Sequence, residues 1–205
     1  MNAAASMKTT TLGVVLAGGQ SSRFGVDKAL APLAGQPLIA HVAARLAPQV
    51  DAFFVNANRD PARFAGICGA VVGDATERMA AGPLAGIAAA LNYATSVGAT
   101  WLATVPCDAP FLPHDLVARL AAAAHANGAP VAVAATTEGL EPMFGLWSVG
   151  LAREAGAALA AGDGGPRALM ARLNAAEARF TDALAFANLN TPADFAAAEV
   201  RLRSA

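Results

Sequence analysis

Thr11-Leu12-Gly13-Val14-Val15-Leu16-Ala17-Gly18-Gly19-Gln20-Ser21-Ser22-Arg23-Phe24-Gly25-Val26-Asp27-Lys28 passes from an apolar β-like run into a glycine-rich loop with an arginine and a lysine. A strand that empties into such a loop suits phosphate. Gly18, Gly19 and Gly25 are expected to take positive φ and to let the backbone approach a ligand closely. The N–H groups of the loop can converge on anionic oxygens. Arg23 offers two parallel hydrogen bonds, and Lys28 adds a point charge.

Two common phosphate loops are excluded by spacing. A Walker loop places Ser or Thr after its lysine, whereas Ala29 follows Lys28. A dinucleotide fingerprint reads G-x-G-x-x-G, whereas Gly18 and Gly19 are adjacent.

The remaining sequence alternates strand-like and helix-like segments, which predicts an α/β fold with a mostly parallel sheet. Strands are expected at Thr11–Leu16, Ala52–Asn56, Ala70–Val72, Trp101–Val105, Val131–Ala134, Met143–Ser148 and a short one at Ala185–Asn188. Pro37 opens a helix with Leu38, Val42 and Leu46 at i, i+4, i+8, Pro83 opens another to about Ser96, and a third covers His114–Ala126. Thr191, Pro192 and Asp194 supply an N-cap, a first-position proline and a first-turn acid for a C-terminal helix. With 205 residues and no linker or repeat, one Rossmann-like α/β/α domain over 1–205 is expected, with residues 1–9 as a flexible N-terminus.

Composition removes several function classes. Fourteen basic against fifteen acidic residues argue against a nucleic-acid binder. Every apolar run is interrupted by glycine, proline or charge, so no membrane span is expected. Two cysteines cannot form a disulfide framework or a metal cluster, and the first ten residues do not read as a secretory signal, so a cytoplasmic location is the default.

In such sheets ligands lie beyond the carboxyl ends of the strands, and three expected strands deliver polar groups there. The first ends in the glycine loop, the second in Asn56-Ala57-Asn58-Arg59, the fourth in Val105-Pro106-Cys107-Asp108. Asp108, in a turn stiffened by Pro106, Pro110 and Pro113, suits Mg²⁺ bound through one carboxylate plus triphosphate oxygens; the lesser alternative is an Asx-turn or N-cap serving the helix near His114. Cys107 has no histidine nearby in sequence and reads as a small packed side chain. The amides Asn56 and Asn58 can read a base or ribose, or simply form a turn. Asp74 is open to the same two readings. Arg167, behind the glycine-rich stretch Gly162–Pro166, can hold an acceptor phosphate or lie in solvent. His41 and His125 fall inside helical patterns without metal-ligand spacing.

The motif L-A-G-G-x-S-x-R-F-G-x-D-K-A-L, with V-N-A-N-R at Val55–Arg59, G-P-L-A-G at Gly82–Gly86, P-C-D-x-P at Pro106–Pro110 and N-x-N-T-P-x-D-F at Asn188–Phe195, covers nearly the whole chain. It resembles the molybdenum cofactor guanylyltransferases, the MobA family of the nucleotidyltransferase and pyrophosphorylase superfamily. The resemblance implies the three-layer fold of nucleotide-diphospho-sugar transferases and transfer of GMP from GTP to molybdenum-molybdopterin, releasing pyrophosphate. It implies Arg23, Lys28 and Asp108 as catalytic, Asp108 as the Mg²⁺ ligand, and Leu16, Ala17, Gly18, Gly19, Lys28, Asn56, Asp74 and Asp108 around GTP. It ranks Asn56 above Asn58, and places Glu141 and Pro142 near the acceptor. Delivery of the product implies molybdenum-insertion proteins, apoenzymes or their chaperones as partners. Relatives that use CTP tend to read L-A-A-G, so Gly19 is expected to make room for the larger base. The other readings are a cytidylyltransferase for the same pterin, a sugar-phosphate nucleotidyltransferase, and a non-catalytic nucleotide-binding scaffold. Phe24 in place of a frequent methionine and the glycine-rich Gly162–Arg167 loop depart from the family pattern. No side chain stands out as a general base, which fits a phosphate acceptor already largely ionised at neutral pH, its second pKa being about 6.

Overall fold

The computed structural model describes residues 9–18, 27–58, 60–74, 82–162 and 165–204. Seven strands form one sheet in the order β5-β4-β1-β6-β8-β7-β9. They are β1 (Thr11–Leu16), β4 (Ala52–Asn56), β5 (Val71–Val72), β6 (Trp101–Pro106), β7 (Val131–Thr136), β8 (Gly139–Ser148) and β9 (Ala176–Arg179), while β2 (Pro32–Leu33) and β3 (Gln36–Pro37) form a separate small hairpin. All pairings in the large sheet are parallel except those of β8, which runs antiparallel to both β6 and β7.

The inner strands are apolar on both faces because helices cover both. Val15, Val55 and Val105 point into one core with α1 (Leu38–Leu46) and α3 (Leu116–Asn127). Val14, Phe54 and Leu102 point into the other with α2 (Pro83–Ser96), α4 (Ala152–Ala161) and α5 (Pro166–Arg172). A third cluster docks α6 (Pro192–Arg203) through Ala198 and Phe195 against Leu33, Leu38, Phe111 and Leu189. Helix α1, between β1 and β4, covers one face, and α2, between β4 and β6, covers the other. That divergence opens a crevice at the carboxyl end of β1.

The sequence reading requires three corrections. Ala185–Asn188 is not a strand: residues 183–186 form a 3-10 turn, which buries Phe186 edge-on to Phe144 and Phe180 at centroid distances of 4.9 and 5.0 Å. The edge strand is instead β9, missed because Ala-Glu-Ala-Arg carries little apolar signal. Lastly, β8 is longer than Met143–Ser148, beginning at Gly139 in a tight hairpin from β7. No helix among the described residues is long and apolar enough to cross a membrane.

Candidate active site

Two polar groups meet at the crevice, one on each side of the end of β1. Main-chain bonds extend the sheet there: Ala17 N–H donates to Asn56 O at 2.8 Å, and Cys107 N–H donates to Leu16 O at 3.1 Å. Leu16, Ala17 and Gly18 therefore sit between the ends of β4 and β6. Gly19, Arg23 and Gly25 lie outside the described residues, as does most of the expected N-terminal tail.

On the β6 side, Lys28 opens a short 3-10 turn capped by the Asp27 carboxylate, whose other oxygen takes Arg63 at 3.1 Å. The Lys28 side chain turns inward and the residue is only 8% exposed. Its ammonium donates to Asp108 Oδ2 at 2.5 Å and to Asn190 Oδ1 at 2.7 Å. Asp108 is fixed from its main chain as well, its carbonyl accepting Leu189 N–H at 2.9 Å. Asn190 was not singled out by sequence reasoning, although it belongs to the N-x-N-T-P string. It is placed by the α6 cap: Asp194 Oδ2 accepts the N–H groups of Asn190 and Thr191, both at 2.7 Å, and Thr191 Oγ1 accepts Asp194 N–H at 3.2 Å. These bonds hold the Asp194 carboxyl below its ordinary value.

On the β4 side, Asn56 is 1% exposed. Its Nδ2 donates to Val72 O at 3.0 Å and to Asp74 Oδ1 at 2.9 Å, so both amide hydrogens are engaged within the protein. Asn58 Nδ2 donates to Asp74 Oδ2 at 2.8 Å, and Asp74 N–H donates back to Asn58 Oδ1 at 2.7 Å. Glycine is needed for approach at Gly86, where a Cβ would lie 2.5 Å from Asn56 Oδ1; at Gly18 a Cβ would make only ordinary contacts, 3.4 Å from that atom and 3.6 Å from Asn58 Nδ2. Gly18 does not adopt the positive φ expected of it; among the described residues Gly82, the residue before α2, does.

Other sequence candidates fall elsewhere. Arg167 is exposed and donates to Leu140 O at 2.8 Å, beside Glu141. Burial pushes the Glu141 carboxyl up, the Glu138 charge adds to this, and Arg167 opposes it. Burial and then the Asp108 charge push the Cys107 thiol far up, so it is no thiolate nucleophile. His41 Nε2 bonds Leu33 O at 2.8 Å, and His125 is exposed in the last turn of α3. A cleft of about 210 Å³ between α1, α3 and α6 is lined by Arg45, Arg119 and Arg201. The last two lie over Phe180 and Phe111 and pair with Asp115 and Asp182, so that surface is largely self-neutralised.

A divalent cation would find one carboxylate, Asp108, and among the described residues no cluster of three acidic, histidine or cysteine side chains. That donor set fits Mg²⁺, which keeps waters and takes most remaining ligands from phosphate oxygens. It does not fit zinc, which asks for three or four nitrogen or sulfur ligands.

The mostly parallel sheet between two layers of helices agrees with what comparison with known proteins finds. Residues 13–178 match the MobA-like NTP transferase domain. The chain belongs to this family. Curated relatives named molybdenum cofactor guanylyltransferase include one from Cereibacter sphaeroides, 46% identical over 192 residues that cover 93% of this chain and 96% of that protein. Another, from Rhodobacter capsulatus, is 44% identical over 200 residues with the same coverage. Among solved structures, molybdopterin-guanine dinucleotide biosynthesis protein A from Archaeoglobus fulgidus superposes with a TM-score of 0.75 at 21% identity, covering 95% of this chain and all of that one. A 4-diphosphocytidyl-2C-methyl-D-erythritol synthase from Anaerococcus prevotii gives 0.72 at 10% identity over 95% and 99% of the two chains. At such identities the superpositions speak for the fold. This MobA-like chain is thus a nucleotidyltransferase of the α/β/α type, in which β8 is the one reversed strand of the large sheet among the described residues.

Proposed function

We propose that the protein transfers GMP from GTP to the phosphate of molybdenum-bound molybdopterin, giving the guanine dinucleotide cofactor and pyrophosphate. The Lys28–Asp108–Asn190 group beside the end of β1 supports transfer at a polyphosphate, and the relatives' names supply the acceptor. An acceptor phosphate oxygen forms a bond to the α-phosphorus while the bond to the β-phosphate oxygen breaks. The acceptor arrives ionised, so no side chain need take a proton. Lys28 offsets charge developing on the phosphoryl oxygens, and Arg23 is assigned the same task from the sequence. Asp108 would hold Mg²⁺, which supplies charge neutralisation at the phosphates when bound.

The hydrogen-bonding character of the β4 side favours guanine over cytosine. Asn56 Oδ1 and the Asp74 carboxylate are acceptors. Guanine offers two donors and one acceptor along its Watson–Crick edge, whereas cytosine offers two acceptors and one donor. Leu16, Ala17 and Gly18 line the floor, and Arg167 is assigned to the acceptor side. The test is pyrophosphate release from GTP, CTP, ATP and UTP, each with Mg²⁺ and molybdenum-loaded molybdopterin. Release with GTP alone is expected. Preference for CTP would overturn the base assignment, and silence with all four would favour a sugar-phosphate acceptor or a scaffold.

A further inference from the structure

Asp74 follows β5 in a loop, and its side chain is held by two amides that arrive from different places. Asn56 reaches from the end of β4 to Oδ1, and Asn58, two residues further on, reaches Oδ2. Asn58 also accepts the main-chain N–H of Asp74, so it fixes both the loop and the carboxylate. The torsion that turns an aspartate's carboxyl plane is intrinsically broad. Asn56 alone pins one oxygen and leaves the plane free to swing about it. The second amide removes that freedom. A carboxylate has about four acceptor positions; with one amide on each oxygen, each keeps a position for a planar ligand edge.

We propose that Asn58 is a positioning residue for base selectivity, setting the plane of the Asp74 carboxylate so that both oxygens meet the adjacent N1–H and N2–H donors of guanine. The proposal rests on the guanylyltransferase reading above and assigns selectivity to a residue that need not touch the base's donors itself. Two parallel donors demand a coplanar acceptor pair. A carboxylate rotated out of that plane keeps one bond and loses the other, which weakens recognition of the 2-amino group more than it weakens binding of the triphosphate.

Inosine triphosphate, which lacks the 2-amino group, is the probe. Its KM and kcat with the pterin acceptor, and its Kd by calorimetry, are compared with those of GTP. Wild type is expected to favour GTP by roughly tenfold, the scale of one hydrogen bond to a charged acceptor. In Asn58→Ala the preference narrows to within about threefold through a higher KM for GTP, with kcat within about twofold. A lower melting temperature with the GTP-to-inosine-triphosphate ratio unchanged would mean that Asn58 is merely structural, and would overturn the proposal. The double exchange Asn58→Asp with Asp74→Asn re-forms the amide–carboxylate clamp with its members reversed. Its melting temperature is expected to recover while the GTP preference stays lost, because an amide then faces a guanine donor. Recovery of the preference in that exchange would also overturn the proposal. A wild type that turns over both nucleotides equally defeats the Asn58–Asp74 route yet leaves guanylyl transfer standing. A wild type that releases no pyrophosphate from GTP defeats the underlying reading as well.

Discussion

Lys28 is the residue on which the β6 side of the site turns, because a nearly buried ammonium must have partners and Asp108 and Asn190 are those partners. Asp108→Asn keeps the size and one acceptor for Lys28, so the fold survives, while the charge that suits a metal is gone. Pyrophosphate release is expected to fall by roughly 10²–10³-fold with the circular dichroism spectrum unchanged; undiminished release would remove Asp108 from the metal. Gly86→Ala separates two opposing effects. Helix propensity alone favours alanine by about 1 kcal/mol. The new Cβ, however, would stand 2.5 Å from Asn56 Oδ1, an atom whose side chain is held by two hydrogen bonds. Overpacking of this kind costs about 1–3 kcal/mol, so the variant is expected to melt lower and to bind GTP more weakly in calorimetry. A stabilised variant with native affinity would show that Asn56 yields freely.

At the scale of the element, α6 matters through its first turn. Its capping box places Asn190, and the same Asp194 carboxylate accepts both N–H groups that precede the helix. A carboxyl held below its ordinary value of 3.8 stabilises the fold above that pH and ceases to do so as pH falls through its lowered native value. Asp194→Ala is therefore expected to lower both the melting temperature and kcat/KM at neutral pH. The gap in melting temperature should close as the wild type is acidified well below pH 3.8. A gap that persists in acid would assign the effect to packing and not to the charge. The elements also show which parts of the chain can be read from sequence. β1, β4 and β6 are legible because strands buried on both faces are apolar throughout and stop abruptly at polar loops. Asn56, Asp74 and Asp108 could be placed at strand ends for that reason. The Asn58 clamp could not, since an Asn-x-Asn pair after a strand looks the same whether it bonds a ligand or a neighbouring loop. Ala185–Asn188 misled because an apolar run at a sheet edge and one tucked under an aromatic cluster have similar composition.

The whole molecule is held together across its two cores by the middle of β6. Thr104, fully buried, accepts N–H groups from Gly145 and from the Trp147 indole, both at 3.2 Å, where parallel strands give way to the reversed β8. Thr104→Val removes that acceptor while keeping the shape, leaving the buried Trp147 indole N–H short of its partner at a cost of about 1–3 kcal/mol. A lower melting temperature with an unchanged KM for GTP is expected; a raised KM would couple this seam to the site. The reversal of β8 itself could not be read from pattern, because both directions bury the same residues. Nor could the meeting of Lys28 with Asn190, which lie 162 positions apart. That separation bears on how the enzyme is born. A ribosome that has just made Lys28 must add 80 residues before Asp108 exists and 162 before Asn190 does. A nascent chain that already displays its glycine loop therefore lacks the group that orients the lysine, and it stays chemically mute until synthesis has run on to the α6 cap.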